Sequence, residues 1–151
     1  MSKTSDQYGQ AQTGGGGGEP IVVRAYKSSS QSITSGTSAT KVTFVEDIDN
    51  TDSFDNSTFT ATTAGYYKVN LFCTATGVTV DQSVWFMPYK NGSSIGIQHG
   101  SIVSSTSSSK NVYAMELVYL DVGDTFEWYV AGVDTNYSLT TWTYMHITKV
   151  N

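Results

Sequence analysis

The side chains best suited to chemistry in this sequence are the carboxylates of one acidic segment, residues 46–55. Its aspartates are spaced as Asp47-x-Asp49-x-x-Asp52-x-x-Asp55. Carboxylate oxygens are the ligands that calcium prefers, so a calcium site completed by another loop is one hypothesis and a solvated acidic loop is the other. The segment fails the EF-hand pattern, because Asp52 stands where glycine is required and Thr58 where the bidentate glutamate belongs. We therefore predict no metal centre of a known type and leave calcium open for this loop.

Two further patterns could indicate catalysis, and neither has the context that catalysis needs. The string around Ser94, residues 92–96, matches Gly-x-Ser-x-Gly. A nucleophile elbow joins a strand to a helix, whereas this string begins in a predicted hairpin turn. His99 and His146 lie in strand-like runs without carboxylate or cysteine neighbours, which favours ordinary hydrogen-bonded or surface histidines over a metal pair. We predict no catalytic residue, no cofactor and no enzyme.

The composition bounds the class of protein. The chain has 151 residues with 8 Lys and Arg against 13 Asp and Glu, and only 14% of its residues are charged, whereas about 25% is usual. The basic residues are scattered rather than clustered, which argues against nucleic-acid binding and against a polybasic membrane anchor. No apolar run approaches the ~20 residues that span a bilayer. The N-terminal residues lack the apolar segment of a secretion signal, so we expect no export by a cleaved leader.

Residue types and turn signals predict an all-β protein. Val, Ile, Thr and aromatic residues are abundant, and such side chains fit a half-buried sheet surface. The sequence predicts short strands that recur about every 8–12 residues with turn residues between them, which is typical of a sandwich of two antiparallel sheets. The single cysteine, Cys73, lies among apolar residues and is predicted to be buried in the core. The predicted strands are residues 21–26, 41–45, 58–62, 66–74, 84–89, 95–103, 111–120, 125–131 and 141–150.

Several of these strands are apolar on both faces, whereas a sandwich strand normally has one polar face. One apolar face fills the core, and the other needs a partner, because large exposed apolar patches mark interaction sites. Self-association supplies that partner most simply. The candidate interface residues are Trp85, Met87, Tyr89, Tyr113, Met115, Tyr119, Trp128, Trp142 and Tyr144.

Three motifs resemble the C1q/TNF-like jelly-roll family. Residues 65–71 (GYYKVNL) resemble its Gly-x-Tyr strand, residues 89–92 (YKNG) are similar to its strand ending in Asn-Gly, and residues 117–126 (LVYLDVGDTF) resemble its Leu-x-Leu-x-x-Gly-Asp signature. The closing strand departs from the family, because Tyr144 stands where the family carries glycine. The resemblance implies a ten-strand, two-sheet jelly roll over residues 21–151, assembled as a homotrimer with one sheet of each protomer lining the threefold axis.

Residues 1–20 are predicted to form a separate arm. They are polar and contain five consecutive glycines, and such a segment cannot bury enough apolar surface to fold alone. A disordered tail and an attachment arm remain alternatives. For the attachment arm, the candidate residues are Tyr8, Gly14, Gly18 and Pro20.

An arm joined to a trimeric, hydroxyl-rich head favours a non-enzymatic component of a virus particle, such as a decoration or short fibre of a bacteriophage. The arm would bind another virion protein, and the head would be on the virion surface after assembly in the host cytoplasm. Two alternatives remain open: a fibre tip that binds a receptor or host glycan through residues 77–81, 104–110 and 134–138, and a bacterial surface C1q-like protein. No collagen-like repeat of the kind that usually precedes the latter occurs.

Overall fold

A computed structural model describes residues 20–34, 36–79, 81–96, 99–102, 109–132 and 136–150. These residues form strands and turns, and they include no helix that could cross a membrane. The strands are β1 (Val22–Tyr26), β2 (Gln31–Ile33), β3 (Gly36–Lys41), β4 (Val45–Asp49), β5 (Phe54–Asp55), β6 (Thr58–Thr60), β7 (Gly65–Thr76), β8 (Ser83–Lys90), β9 (Ser93–Ser94), β10 (His99–Ile102), β11 (Ser109–Leu120), β12 (Thr125–Gly132), β13 (Tyr137–Leu139) and β14 (Tyr144–Val150).

The strands form two antiparallel sheets. The first sheet runs β4-β1-β14-β7-β11. The C-terminal end of β7 extends past β14 and pairs there with β13, and β13 pairs with β2 on its other side. The second sheet runs β10-β8-β12-β6-β5, with β3 also paired to β12 and β9 paired to β8. The two long predicted strands 66–74 and 84–89 therefore belong to opposite sheets, and the all-β, two-sheet architecture is confirmed.

The core lies between the inward faces of the two sheets. On β7, alternate residues from Tyr67 to Ala75 are fully buried, and Cys73 is among them, as predicted. Burial raises the pKa of the Cys73 thiol to about 12. In the second sheet, Trp128 is 1% exposed and its ring meets Phe126 edge-on at 5.4 Å. Trp128 therefore faces the core, and its prediction as an interface residue was wrong, because its strand parity places it with Phe126 rather than with the outward residues of β12.

The least accurate strand predictions concern residues 41–55. A strand was expected over 41–45, but β3 ends at Lys41 and the next three residues cross between the sheets. The backbone N–H of Val42 donates to Trp128 in the second sheet, whereas the carbonyl of Thr43 accepts from the Lys27 side chain beside the first. The predicted acidic loop contains strands β4 and β5. Most of β4 is exposed, so no apolar alternation was there to reveal it.

The Asn91-Gly92 turn has the backbone conformation that its sequence predicts. Both residues have positive φ angles, 50° and 74°, as a two-residue turn compatible with strand twist requires. The turn joins β8 to the two-residue strand β9. The predicted strand over 95–103 is interrupted, since β9 ends at Ser94 and β10 begins at His99.

Candidate functional site

The outward side of the first sheet carries a large exposed apolar surface, which we name the aromatic face. Alternation along the edge strand β11 buries Val112, Ala114, Glu116 and Val118 and leaves the residues between them exposed. Tyr113 is 66% exposed and Leu117 is 57% exposed. The aromatic face comprises Tyr26, Tyr66, Phe72, Tyr113, Met115, Leu117, Tyr119 and Tyr144.

One end of this face is a transverse row of apolar side chains, with one residue from each of five adjacent strands. The register aligns Val45, Tyr26, Tyr144, Phe72 and Tyr113 across β4, β1, β14, β7 and β11. The rings of Phe72 and Tyr144 stack with centroids 5.2 Å apart. Cross-strand pairs of this kind stabilise a sheet, and here they also hold the rings in fixed positions at the surface.

At the other end of the face, Tyr66 and Tyr119 are cross-strand partners whose rings meet edge-on at 5.2 Å. They are 54% and 46% exposed. Large side chains therefore cover both ends of the face and β11 from Tyr113 to Tyr119.

Polar side chains occupy the centre of the face. Arg24, His146 and Asn70 are aligned on β1, β14 and β7. The Arg24 guanidinium forms an ion pair with Asp47, and Asn70 accepts a hydrogen bond from the Tyr113 hydroxyl at 3.3 Å. Partial burial, and then the positive charge of Arg24, lower the pKa of His146 below its usual value.

The structure divides the candidate interface residues between two sides of the molecule. Tyr113, Met115, Tyr119 and Tyr144 lie on the aromatic face, and Trp142 lies in the turn before β14 with 75% of its surface exposed. The β8 residues are on the opposite sheet, where alternation directs Trp85, Met87 and Tyr89 outward and leaves them partly or wholly buried by neighbours. A single flat interface cannot contain both groups.

Four residues of the aromatic face were not among the candidates, namely Tyr26, Tyr66, Phe72 and Leu117. Leu117 alternates with Val118 on β11, and Tyr66 with Tyr67 on β7, so parity alone could have identified both. Identifying Tyr26 required the strand register, because only its pairing with Tyr144 places it in the transverse row.

The acidic segment uses its central carboxylate to organise the backbone. Asp49 accepts hydrogen bonds from the backbone N–H groups of Thr51, Ser53 and Phe54. Although partial burial opposes it, these bonds lower the pKa of Asp49. In the described part of the chain, no three His, Cys, Asp or Glu side chains are grouped as a metal site would require.

The predicted attachment arm lies almost wholly outside the described residues, including Tyr8, Gly14 and Gly18. Pro20 is exposed, and its carbonyl accepts a hydrogen bond of 2.7 Å from the Asn50 amide. The chain therefore enters the sandwich beside the loop that follows β4.

Comparison with known proteins identifies the fold. No family model matches the chain, and no curated protein matches it. Murine APRIL at pH 8.5 is similar in structure, with a TM-score of 0.63 and 12% identity over 87% of this chain and 100% of that one. Eiger TNF from S. frugiperda has a TM-score of 0.63 and 10% identity over 88% and 94% of the two chains. The globular domain of zebrafish complement 1qA has a TM-score of 0.57 and 14% identity over 87% and 97%.

At such low identities the similarity concerns architecture alone. The two sheets match these structures over nearly the whole described chain, in agreement with the resemblance of the three sequence motifs. The chain has the C1q/TNF-like jelly-roll fold.

Proposed function

We propose that this protein is a non-enzymatic structural protein that works as a homotrimer, with the aromatic face of each protomer buried against its two neighbours. The observation that carries the proposal is the set of exposed rings on the first sheet, where Tyr113 alone is 66% exposed. Burying a large apolar side chain contributes about 1.5–3 kcal/mol. A face with several such side chains gains much from self-association.

The composition of the face supports burial rather than solvation. Tyrosine combines a large apolar area with a polar tip, and it is enriched in interface cores. The polar centre has its own partners, since Arg24 pairs with Asp47 and Asn70 with Tyr113. Because these polar groups are already paired within the protomer, removing water from the centre of the face costs less free energy when copies associate. The threefold arrangement, rather than a dimer, rests on the resemblance to the C1q/TNF-like family.

The test is the mass in solution of the wild type and of a pair of matched variants. We expect the wild type at three times the protomer mass of 16.3 kDa. Tyr119→Glu places a charge on the aromatic face and should give monomers, because an unpaired buried charge is costly. Thr62→Glu adds the same charge at an exposed site beside the second sheet and should remain trimeric. A monomeric wild type that is stable to dilution would refute the proposal.

We further propose that the trimer is a decoration or short fibre of a virus particle, with residues 1–20 as the attachment arm. The support is the glycine-rich composition of that segment and its entry point beside Asn50, at the edge of the folded head. Deleting residues 1–19 should leave a soluble trimer that no longer incorporates into particles. Normal incorporation of the shortened chain would refute the role of the arm.

A further inference from the structure

The second sheet carries an open groove on the side of the sandwich opposite the aromatic face. Its volume is about 440 Å³, within the range of ligand pockets in proteins. The lining residues are hydroxyl, amide and carboxylate side chains from β5, β6 and their flanking turns: Asp52, Ser53, Asp55, Asn56, Thr58, Thr60 and Thr62.

The sheet and several hydrogen bonds position the residues of the groove. Alternation along β6 buries Phe59 completely and directs Thr58 and Thr60 outward. Asp49 anchors the preceding loop through three backbone N–H groups. Within the described residues, the side chains of Thr60 and Thr62 make no hydrogen bond to another residue, so their hydroxyls are available to a ligand.

A hydrogen-bonded carboxylate borders the groove on β12. Glu127 accepts from the Thr58 hydroxyl at 2.7 Å and from the Lys41 ammonium at 2.6 Å. Although desolvation opposes it, these hydrogen bonds lower the pKa of Glu127. Its side chain is 14% exposed, so its position is fixed by its neighbours rather than by solvent.

Beyond Glu127 lies a pair of stacked tyrosines. The rings of Tyr89 and Tyr129 are 4.0 Å apart at an interplanar angle of 29°, and both side chains are partly exposed. Tyr89 is the cross-strand partner of Glu127, and Thr58 is the partner of Asp55. Tyr89, Glu127, Thr58 and Asp55 therefore form one row across four adjacent strands. At 4.7–4.9 Å between strands the row is about 14 Å long, which is longer than a single sugar ring.

We infer that this row is a binding site for a neutral oligosaccharide. Carboxylate, amide and hydroxyl groups match the hydroxyls of a sugar, and an aromatic surface packs against the C–H face of a pyranose. The carboxylates of Asp52 and Asp55 line the groove and that of Glu127 borders it, whereas no ammonium is among the described lining residues and that of Lys41 is already paired with Glu127. This negative balance disfavours sialylated or sulfated glycans and nucleic acids. The site is complete within one protomer and stays open when the aromatic face is covered.

The experiment probes the full-length chain on an array of neutral and acidic oligosaccharides, followed by titration with the best neutral ligand. We expect capture by neutral glycans only, with or without EDTA. Asp55→Ala and Tyr89→Ala should each weaken the affinity by about tenfold or more, as expected for losing a charge-assisted hydrogen bond or an aromatic contact. Trp142→Ala, which removes an exposed aromatic ring elsewhere, is the matched control and should bind normally.

Three results would overturn the inference: no capture of any neutral glycan, capture of acidic glycans only, or a requirement for added calcium. Unchanged binding by Asp55→Ala would do the same, and this exposed residue can be replaced without disturbing the core. Tyr89→Phe keeps the ring and should retain binding. It serves as the control in case Tyr89→Ala loses binding because it misfolds. Tyr119→Glu protomers should bind the free ligand as the wild type does, so failure of the trimer proposal would be distinguished from failure of this one.

Discussion

Lys27 is a buried ammonium that joins β2 of the first sheet to the segment that crosses between the sheets. It is 3% exposed, and its Nζ donates to Gln31 Oε1 and to the carbonyl and hydroxyl of Thr43, each at 2.9 Å. Its backbone N–H donates to Thr143 beside β14. Among the described residues no carboxylate pairs with it. Desolvation consequently lowers its pKa to about 8.

Because of this lowered pKa, the contribution of Lys27 to the stability of the protein changes with pH in the alkaline range. Between about pH 8 and pH 10.5 the unfolded chain binds the Lys27 proton and the folded chain does not, so the contribution of Lys27 to stability rises with pH across this window. The raised pKa of Cys73 acts in the opposite direction above about pH 9. At 1.36 kcal/mol per pKa unit the Lys27 contribution rises by about 3 kcal/mol. Lys27→Met should remove it, while Gln31 keeps its bonds from Thr43.

The measurement is denaturant unfolding of wild type and Lys27→Met at several pH values. As the pH rises, the unfolding free energy of the wild type should increase relative to that of Lys27→Met. Lys68→Met, which removes an exposed ammonium from β7, controls for loss of a positive charge. Parallel pH profiles for wild type and Lys27→Met would show that Lys27 is not the source.

Asp49 has a structural role in the acidic loop. Its carboxylate accepts from three backbone N–H groups, which would otherwise be left without partners. Asp49→Ala should therefore lower the unfolding free energy by about 2–4 kcal/mol, the cost of losing charge-assisted hydrogen bonds. We expect EDTA and added calcium to leave the melting temperature of the wild type unchanged. A rise in melting temperature with calcium that Asp49→Ala abolishes would instead establish a calcium site.

At the scale of elements, two turns that the sequence motifs contain are fastened to each other. The side-chain Nδ2 of Asn91 donates to Asp124 at 2.7 Å, and the backbone N–H of Thr125 donates to the side-chain Oδ1 of Asn91 at 2.8 Å. Lys90 also pairs with Asp124 at 2.7 Å. The Asn-Gly and Gly-Asp motifs therefore bond to each other and hold the β8–β9 and β11–β12 turns together. Bonds from Asn91 and Lys90 lower the pKa of Asp124 to about 2.

Two substitutions at Asn91 separate its side-chain bonds from its backbone conformation. Asn91→Gly loses the bonds but accepts the positive φ of 50°, so it should cost about 1–2 kcal/mol. Asn91→Ala loses the bonds and also adopts an unfavourable left-handed conformation, which should cost about 1–2 kcal/mol more. Thermal unfolding of the two variants checks the order. Equal stabilities would mean that the φ angle at this turn carries no strain.

The elements differ in how far sequence could predict them. Long strands with strict alternation, β7 and β11, were predicted to within two residues at each end, because the buried face dictates a period of two. The short strands β5 and β13 were missed, and residues 28–40 around Ile33, which contain β2, could only be interpreted as an edge strand or a loop, since two or three residues carry no period. The aromatic face was predicted as an apolar excess, but assigning it to one sheet required the register, which joins residues far apart in the chain. The groove was not predicted, because Thr58, Glu127 and Tyr89 lie on three separate strands.

At the scale of the whole molecule, the two apolar excesses seen in the sequence fall on opposite sides of the sandwich. The aromatic face has exposed rings and one histidine in its polar centre. The tyrosine pair of the second sheet is smaller, partly buried and joined to polar groups. The first surface therefore suits the proposed self-association, and the second suits the proposed polar ligand.

The histidine makes assembly through the aromatic face sensitive to acid. His146 lies between Arg24 and Asn70, with Lys68 on the next row of β7. The carboxylate of Asp47 is paired with Arg24. The pKa of His146 is already lowered in the protomer, so a proton binds more weakly to the folded face than to the unfolded chain. Association that buries this face further should disfavour the proton still more, and acid should then favour dissociation.

We expect the trimer to weaken as the pH falls below about 6.5, because the lowered pKa of His146 puts its titration below the ordinary value. Light scattering at constant ionic strength measures the shift in mass. His146→Asn keeps a polar side chain without the titrating group, and it should stay trimeric at the acidic end. If both proteins dissociate at the same pH, another group is responsible; if neither does, the face around His146 remains open to solvent in the assembly, and the copies must meet through the rows at its two ends.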